Sequence, residues 1–269
     1  MAAKRRSPSS PSPASGARSG GAVAAAKGRT RGAAQPAGWH GTWEFTKSIL
    51  GAIAIFLVVR AFLVEAYRIP SGSMEPTLLV GDWLFVNKLA YGPHVPFTSI
   101  SLPGYDEPER GEVIVFVSPY QADEARIGKD PTPTLVKRLV GVPGDTLHMR
   151  GGVLHLNGVP QPQSAAFAGN IVGRPDAVDP LFDWMKPLGL RESRFGAAPA
   201  QPTHGDWGPF VVPPERYFML GDNRYQSKDS RYWGLVPREN VRGRPLFIYF
   251  SIDWPRKDIR WSRIGDWVR

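Results

Sequence analysis

Seventeen residues, Ser48 to Val64 (SILGAIAIFLVVRAFLV), carry one charge, Arg60, and constrain everything that follows them. As a helix they span roughly 26 Å at 1.5 Å per residue, near the short limit for crossing a bilayer. Trp39 and Trp43 precede the stretch and Tyr67 follows it, where interfacial aromatics belong. Arg60 lies within about a turn of the far end, close enough to reach head groups. A buried core helix is one alternative, weakened by the lack of a polar face. A cleavable leader is another, because Val64-Glu65-Ala66 loosely resembles a small-x-small site. Its basic region would be unusually long, and an acid sits inside the site. The expectation is a single transmembrane anchor over 48–66.

The net charge of +9 is unevenly spread. Residues 1–47 hold eight Lys or Arg (Lys4, Arg5, Arg6, Arg18, Lys27, Arg29, Arg31, Lys47) against Glu44, giving +7 and leaving +2 for the rest. This segment is mostly Ser, Pro, Ala and Gly, too poor in apolar surface to offset its ordering entropy, and reads as a disordered tail. Nucleic-acid binding by the arm is the alternative; positive charge beside a membrane span fits better, with a phospholipid membrane as partner and no nucleic acid. The same rule puts the N-terminus in the cytoplasm and all beyond Tyr67 outside.

Twenty-seven prolines and 29 glycines argue for a turn-rich β protein and against a helical bundle. The absence of cysteine excludes thiol nucleophiles, disulfides and thiolate metal sites. Asp82–Leu89, Glu112–Ser118, Thr134–Gly141, Thr146–Arg150, Val153–Asn157, Tyr217–Leu220 and Leu246–Ile252 read as short strands between Gly/Pro turns, and Tyr91–Glu109 as a long loop. If Gly151-Gly152 forms a two-residue hairpin turn, His148 opposes His155, more simply as a surface pair than as zinc ligands.

Beyond the anchor, Ile69-Pro70-Ser71-Gly72-Ser73-Met74-Glu75-Pro76-Thr77-Leu78 sets two serines about a glycine between prolines that fix the backbone. None of the five histidines sits in a catalytic motif, so a base must come from elsewhere. A lysine serves if burial disfavours its ammonium form. Lys137 stands in a strand whose two faces are both apolar, Leu135 and Leu139 on its own side, Val136 and Val140 beside Arg138. Alternation therefore does not say which cation points inward.

Ile69–Leu78, Arg110–Phe116, Lys137–Asp145 and Gly221–Arg231, in this order behind a membrane segment, resemble the sequence boxes of bacterial type I signal peptidases. The resemblance extends from about residue 48 to 250. It implies a mostly β fold: a coiled antiparallel β-sheet protease domain (67–159 and 209–252) behind one N-terminal transmembrane helix. A variable second domain would be inserted at 160–208, and a basic, Trp-rich segment would follow at 253–269. It implies Ser73 as nucleophile and Lys137 as general base, an oxyanion hole from the Ser71 hydroxyl and the Ser73 N–H, and Ser227 orienting the lysine. Asp229 and Arg231 would be a supporting ion pair. Tyr225 and Gln226 depart from the family's more usual acidic-polar pair. Ile69, Met74, Leu78, Leu135, Val136 and Tyr67 would line shallow pockets for small side chains at the first and third positions before the cut. No metal or organic cofactor is implied. The substrates would be signal-peptide-bearing preproteins, cut on the outer face of the inner membrane.

Length supports a membrane substrate independently. Nine residues separate Val64 from Ser73, about 30 Å at full extension, so the nucleophile works near the bilayer. Three rivals are a self-cleaving repressor-type protease, a specialised pilus- or conjugation-type processing peptidase, and a non-enzymatic anchored β binding domain. Trp254, Trp261 and Trp267, among five Lys or Arg, suggest membrane-surface contact, against simple docking of the tryptophans.

Overall fold

The computed structural model describes residues 40–95, 98, 100–162, 178–191 and 193–269. Helix α1 (His40–Val58) passes into one π-helical turn, Val59–Leu63, and Thr42–Leu63 is long and apolar enough to cross a membrane. The helix starts earlier and stops earlier than the 48–66 expectation. His40–Lys47, read with the tail, are helical, and Val64 already opens strand β1 (Val64–Arg68), which zips antiparallel onto β2 (Asp82–Asn87). The expected disorder of residues 1–39 lies outside the described residues.

The larger sheet is antiparallel throughout. After β1 and β2 come β3 (Val113–Val117) and β4 (Thr134–Gly141), joined by a connection holding the short helix α2 (Ala122–Arg126). β5 (Thr146–Arg150), β6 (Val153–Leu156), the two-residue β7 (Val159–Pro160) and β8 (Trp207–Val211) follow. Then come β9 (Arg216–Leu220), the short helix α3 (Ser230–Trp233), β10 (Val236–Pro237), the 13-residue β11 (Val241–Asp253) and β12 (Asp258–Ile259). The order across the large sheet is β1-β2-β11-β3-β4-β9-β10, with β12 on the end of β11. Register shifts at Val241/Gly243, Pro245/Ile248 and Ile248/Phe250 bend β11, letting it leave β3 and pair with β2, so the sheet curls. In β2, alternation sends Leu84 and Val86 into the core and Trp83 and Phe85 outward.

β5 to β8 form a separate four-stranded sheet, in the order β7-β6-β5-β8. Residues 146–159, expected with the catalytic strands, belong here because Leu147, Met149 and Leu154 bury against Phe182, Met185, Trp207 and Phe210. Phe182 and Met185 come from a 3-10 segment, Pro180–Leu188, begun by Asp179 accepting from the Leu181 N–H. Gly151 and Gly152 both take positive φ at the hairpin tip, and His148 does face His155, the rings stacked at 4.6 Å. His148 is buried beneath Phe195 rather than at the surface, and burial first, then His155 and Arg150, lower its pKa to about 4.

The C-terminal segment lies back along β11. Gly265 N–H donates to the Ile248 carbonyl, Val268 N–H to that of Leu246, and Arg263 pairs with buried Asp82 at 2.7 Å.

Candidate active site

Ile69 to Leu78 leave β1 and wrap into the core, with Ile69, Met74 and Leu78 buried among Leu84, Val86, Val113, Val115 and Ile248. Ser71 is extended and makes no capping bond, and Gly72–Met74 form one 3-10 turn that carries buried Ser73 inward. On the neighbouring face, β4 pairs with β3 along Thr134–Arg138, whereas β9 joins it only from Arg138 onward. The β9-side edge of Thr134–Lys137 is thus left without a strand among the described residues.

Of the two cations alternation left open, Lys137 points inward. It is 4% exposed, and its Nζ stands 2.6 Å from Ser73 Oγ. Burial drives its pKa from 10.5 to about 8; Asp229 and Asp222 pull it up and Arg231 pushes it down. At that value a useful fraction of the amine is neutral near pH 8, as a base requires. Arg138, on the other face, makes a two-pronged pair with Asp222, Nε–Oδ1 and Nη2–Oδ2 both 2.7 Å. Thr77 Oγ1 donates to the same carboxylate at 2.6 Å, binding the serine segment, β4 and the 221–229 loop together.

That loop also grips the backbone of the Ser73 segment. Asn223 N–H donates to the Ser73 carbonyl at 3.0 Å, and its Nδ2 to that of Gly72 at 3.2 Å. Asp222 and Asn223 are the positioning residues that sequence reasoning missed. Their partners lie 84 to 151 residues away in the chain, so no local periodicity marks them. Gly221 is required for close approach: a Cβ there would stand 2.2 Å from Ser227 Oγ and 2.5 Å from the Ser73 carbonyl oxygen.

Asp229 and Arg231 form a fully buried pair, Nε–Oδ1 and Nη2–Oδ2 both 2.8 Å. Asp229 also accepts from the Gly221 N–H and caps α3. Burial raises its pKa, but Arg231's charge and these hydrogen bonds outweigh it and hold the carboxyl below the usual range. Ser227 Oγ is buried in the same region with no hydrogen-bond partner among the described residues, so the expected lysine-orienting bond is not formed here.

A cleft of about 110 Å³ opens onto Ser73 and Lys137, walled by Tyr67, Ile69, Ser71, Met74, Leu135 and Val136. Its size suits small side chains. Leu78, expected in this wall, is instead wholly inside the core behind it, 0% exposed, because the turn after Met74 directs it toward Leu84 and Val86. Among the described residues no group of three His, Asp or Glu is arranged to hold a metal.

Residues 42–250 match the family described as Signal peptidase, peptidase S26. The Signal peptidase I of Pseudomonas fluorescens is 36% identical over 245 residues, covering 82% of this chain and 78% of that protein. The Probable signal peptidase I-2 of Synechocystis is 34% identical, covering 80% and 74%. The crystal structure of a signal peptidase I from Enterococcus faecalis is 28% identical, with a TM-score of 0.31, and the match covers 52% of this chain and 97% of that one.

Proposed function

This chain belongs to the S26 signal peptidases, serine peptidases that remove signal peptides, and on that premise we propose how its own residues make the cut. Neutral Lys137 takes the proton of Ser73 as its Oγ attacks the carbonyl of the scissile bond. The oxyanion forms against the Ser73 N–H and the Ser71 hydroxyl, whose freedom from capping leaves it able to donate. Protonated Lys137 then gives its proton to the departing amine, leaving an acyl group on Ser73. Water, deprotonated by the same lysine, releases it. Asp222, Asn223, Asp229 and Arg231 hold the two segments at the distance this exchange requires. The preprotein lies extended along the open edge of β4, its small side chains in the cleft beside Leu135 and Val136.

The observation that carries this reading is the 2.6 Å approach of a buried lysine to a buried serine, with no histidine among the described residues that line the cleft. It is tested by cleavage of a preprotein bearing an Ala-x-Ala site in detergent micelles, across pH. The parent chain should cut after the site at a rate rising through about pH 8, the pKa that burial gives Lys137. Ser73→Ala and Lys137→Met should each lose about 10³-fold or more. Cutting by Lys137→Met would remove the general-base assignment.

For location, we infer a single-pass protein of the inner membrane, its N-terminus cytoplasmic and its protease domain on the outer face. The span Thr42–Leu63 and the basic residues ahead of it support this.

A further inference from the structure

Lys228 stands between Ser227 and Asp229, yet its ammonium takes no part in the dyad. It reaches across to α2, 2.6 Å from Asp123 Oδ2 and 2.7 Å from Glu124 Oε1. Hydrogen bonds and charge raise the lysine's pKa against the effect of its burial, and hydrogen bonds from Lys228 hold both carboxyls low.

Little else docks α2 among the described residues. It buries none of its own residues and stands between two cavities. One, about 350 Å³, is lined by Gln121, Glu124, Pro133, Leu135, Lys228 and Trp233. The other, about 390 Å³, opens on its far side toward Leu181, Trp184 and Tyr232. Where packed side chains would ordinarily couple two segments, there is open space bridged by an ion pair.

The connection that carries α2 is itself stiff. Ser118 N–H donates to the Pro133 carbonyl at 2.9 Å and Gln121 N–H to that of Pro131 at 2.8 Å. Gln121 Nε2 adds a buried bond to Ser118 Oγ at 2.7 Å. Pro133 is followed directly by Thr134, the first residue of the strand bearing Lys137. The Lys228 contacts therefore link the lysine's strand to the loop of Ser227 by a path separate from the buried Asp229–Arg231 pair.

We propose that Lys228, through Asp123 and Glu124, is a positioning residue that holds the Ser227 loop in register with the β4 strand and so sets the Lys137–Ser73 geometry. The proposal rests on the dyad reading above. All three groups are partly exposed, so the pairs add little to stability, and their loss should leave the fold intact.

The test uses the full chain in detergent micelles with the same preprotein. Lys228→Ala should lower kcat about tenfold, since small misplacements of reacting groups are costly, with KM within about twofold. Its melting temperature should stay within about 2 °C of the parent. Lys228→Arg should restore most of the rate. Asp123→Asn with Glu124→Gln should reproduce the loss, and adding Lys228→Ala to that pair should cost nothing more. Parental kcat in Lys228→Ala, a rise in KM alone, failure of Arg to rescue, or independent multiplication of the losses would each overturn the latch. Ser73→Ala and Lys137→Met run alongside: activity there removes the dyad reading itself, whereas inactivity there with a fully active Lys228→Ala removes only the latch.

Discussion

Lys137 is useful because it is badly solvated, and the same burial costs the fold stability. Its folded-state pKa of about 8 lies below the ordinary 10.5, so between those values the unfolded chain binds the extra proton. Stability therefore rises with pH from about 8 to about 10.5, and below pH 8 the full penalty, on the order of 3 kcal/mol, applies. Lys137→Met should thus be more stable than the parent by about that amount at pH 7. The gain should shrink as pH climbs through 8 and vanish above 10.5; denaturant melts at pH 7 and pH 10.5 check it, and a constant or negative difference would show that desolvation does not set the lysine's state. This residue also marks where sequence reading stops. A central strand with two apolar faces hides which cation turns inward, and what decides is Asp222, 84 residues away, taking Arg138.

Among the elements, the 221–229 loop does most to assemble the site, and Gly221 is its tightest point. A methyl group there would overlap the Ser227 side chain and the Ser73 carbonyl, both within 2.5 Å. Neither neighbour can retreat, since one is buried in the loop and the other is backbone held by the Asn223 N–H. Gly221→Ala should lower kcat about a hundredfold or more by displacing the nucleophile's turn, while costing about 1–3 kcal/mol of stability. A folded variant with parental kcat would mean that the turn adjusts freely. Strands with clear alternation or β-branched runs, such as Asp82–Asn87 and Val113–Val117, were legible within a residue or two. β1 was not, because Val64–Arg68 follows the apolar run of the helix with no turn residue between, and only its pairing with β2 makes it a strand. β8 was hidden by Gly208 and Pro209, and the assignment of β5 and β6 to the smaller sheet depends on Phe182 and Trp207, which local pattern does not connect to them.

At the scale of the whole molecule, one group of aromatic residues outside the core forms a continuous ribbon. Trp267 meets Phe247, Phe247 meets Phe85, Phe85 stacks on Tyr249 at 4.3 Å, and Tyr249 meets Trp83. The Arg68 guanidinium then lies over both Trp83 and Trp254. Phe85 also lines a recess at the foot of the candidate span, with Phe56, Val59, Arg60, Val64, Glu65 and Ala66. The ribbon therefore runs from the C-terminal segment to the end of the candidate membrane span. Trp254, Trp261 and Trp267 remain 50%, 73% and 64% exposed, more than side chains docked only to finish a fold would be. Tryptophan close in sequence to the exposed Arg256 and Lys257 suits an anionic interface, where the indole rests among head groups and the cations meet phosphate. A chain truncated to begin at Leu63, which keeps β1 whole, should still sediment with anionic liposomes. Trp254→Ala, Trp261→Ala and Trp267→Ala together should weaken that association by on the order of tenfold to a hundredfold, while cleavage of a short soluble peptide stays near the parental rate. Unchanged sedimentation would assign the ribbon to internal docking alone and leave the helix as the one membrane attachment among the described residues.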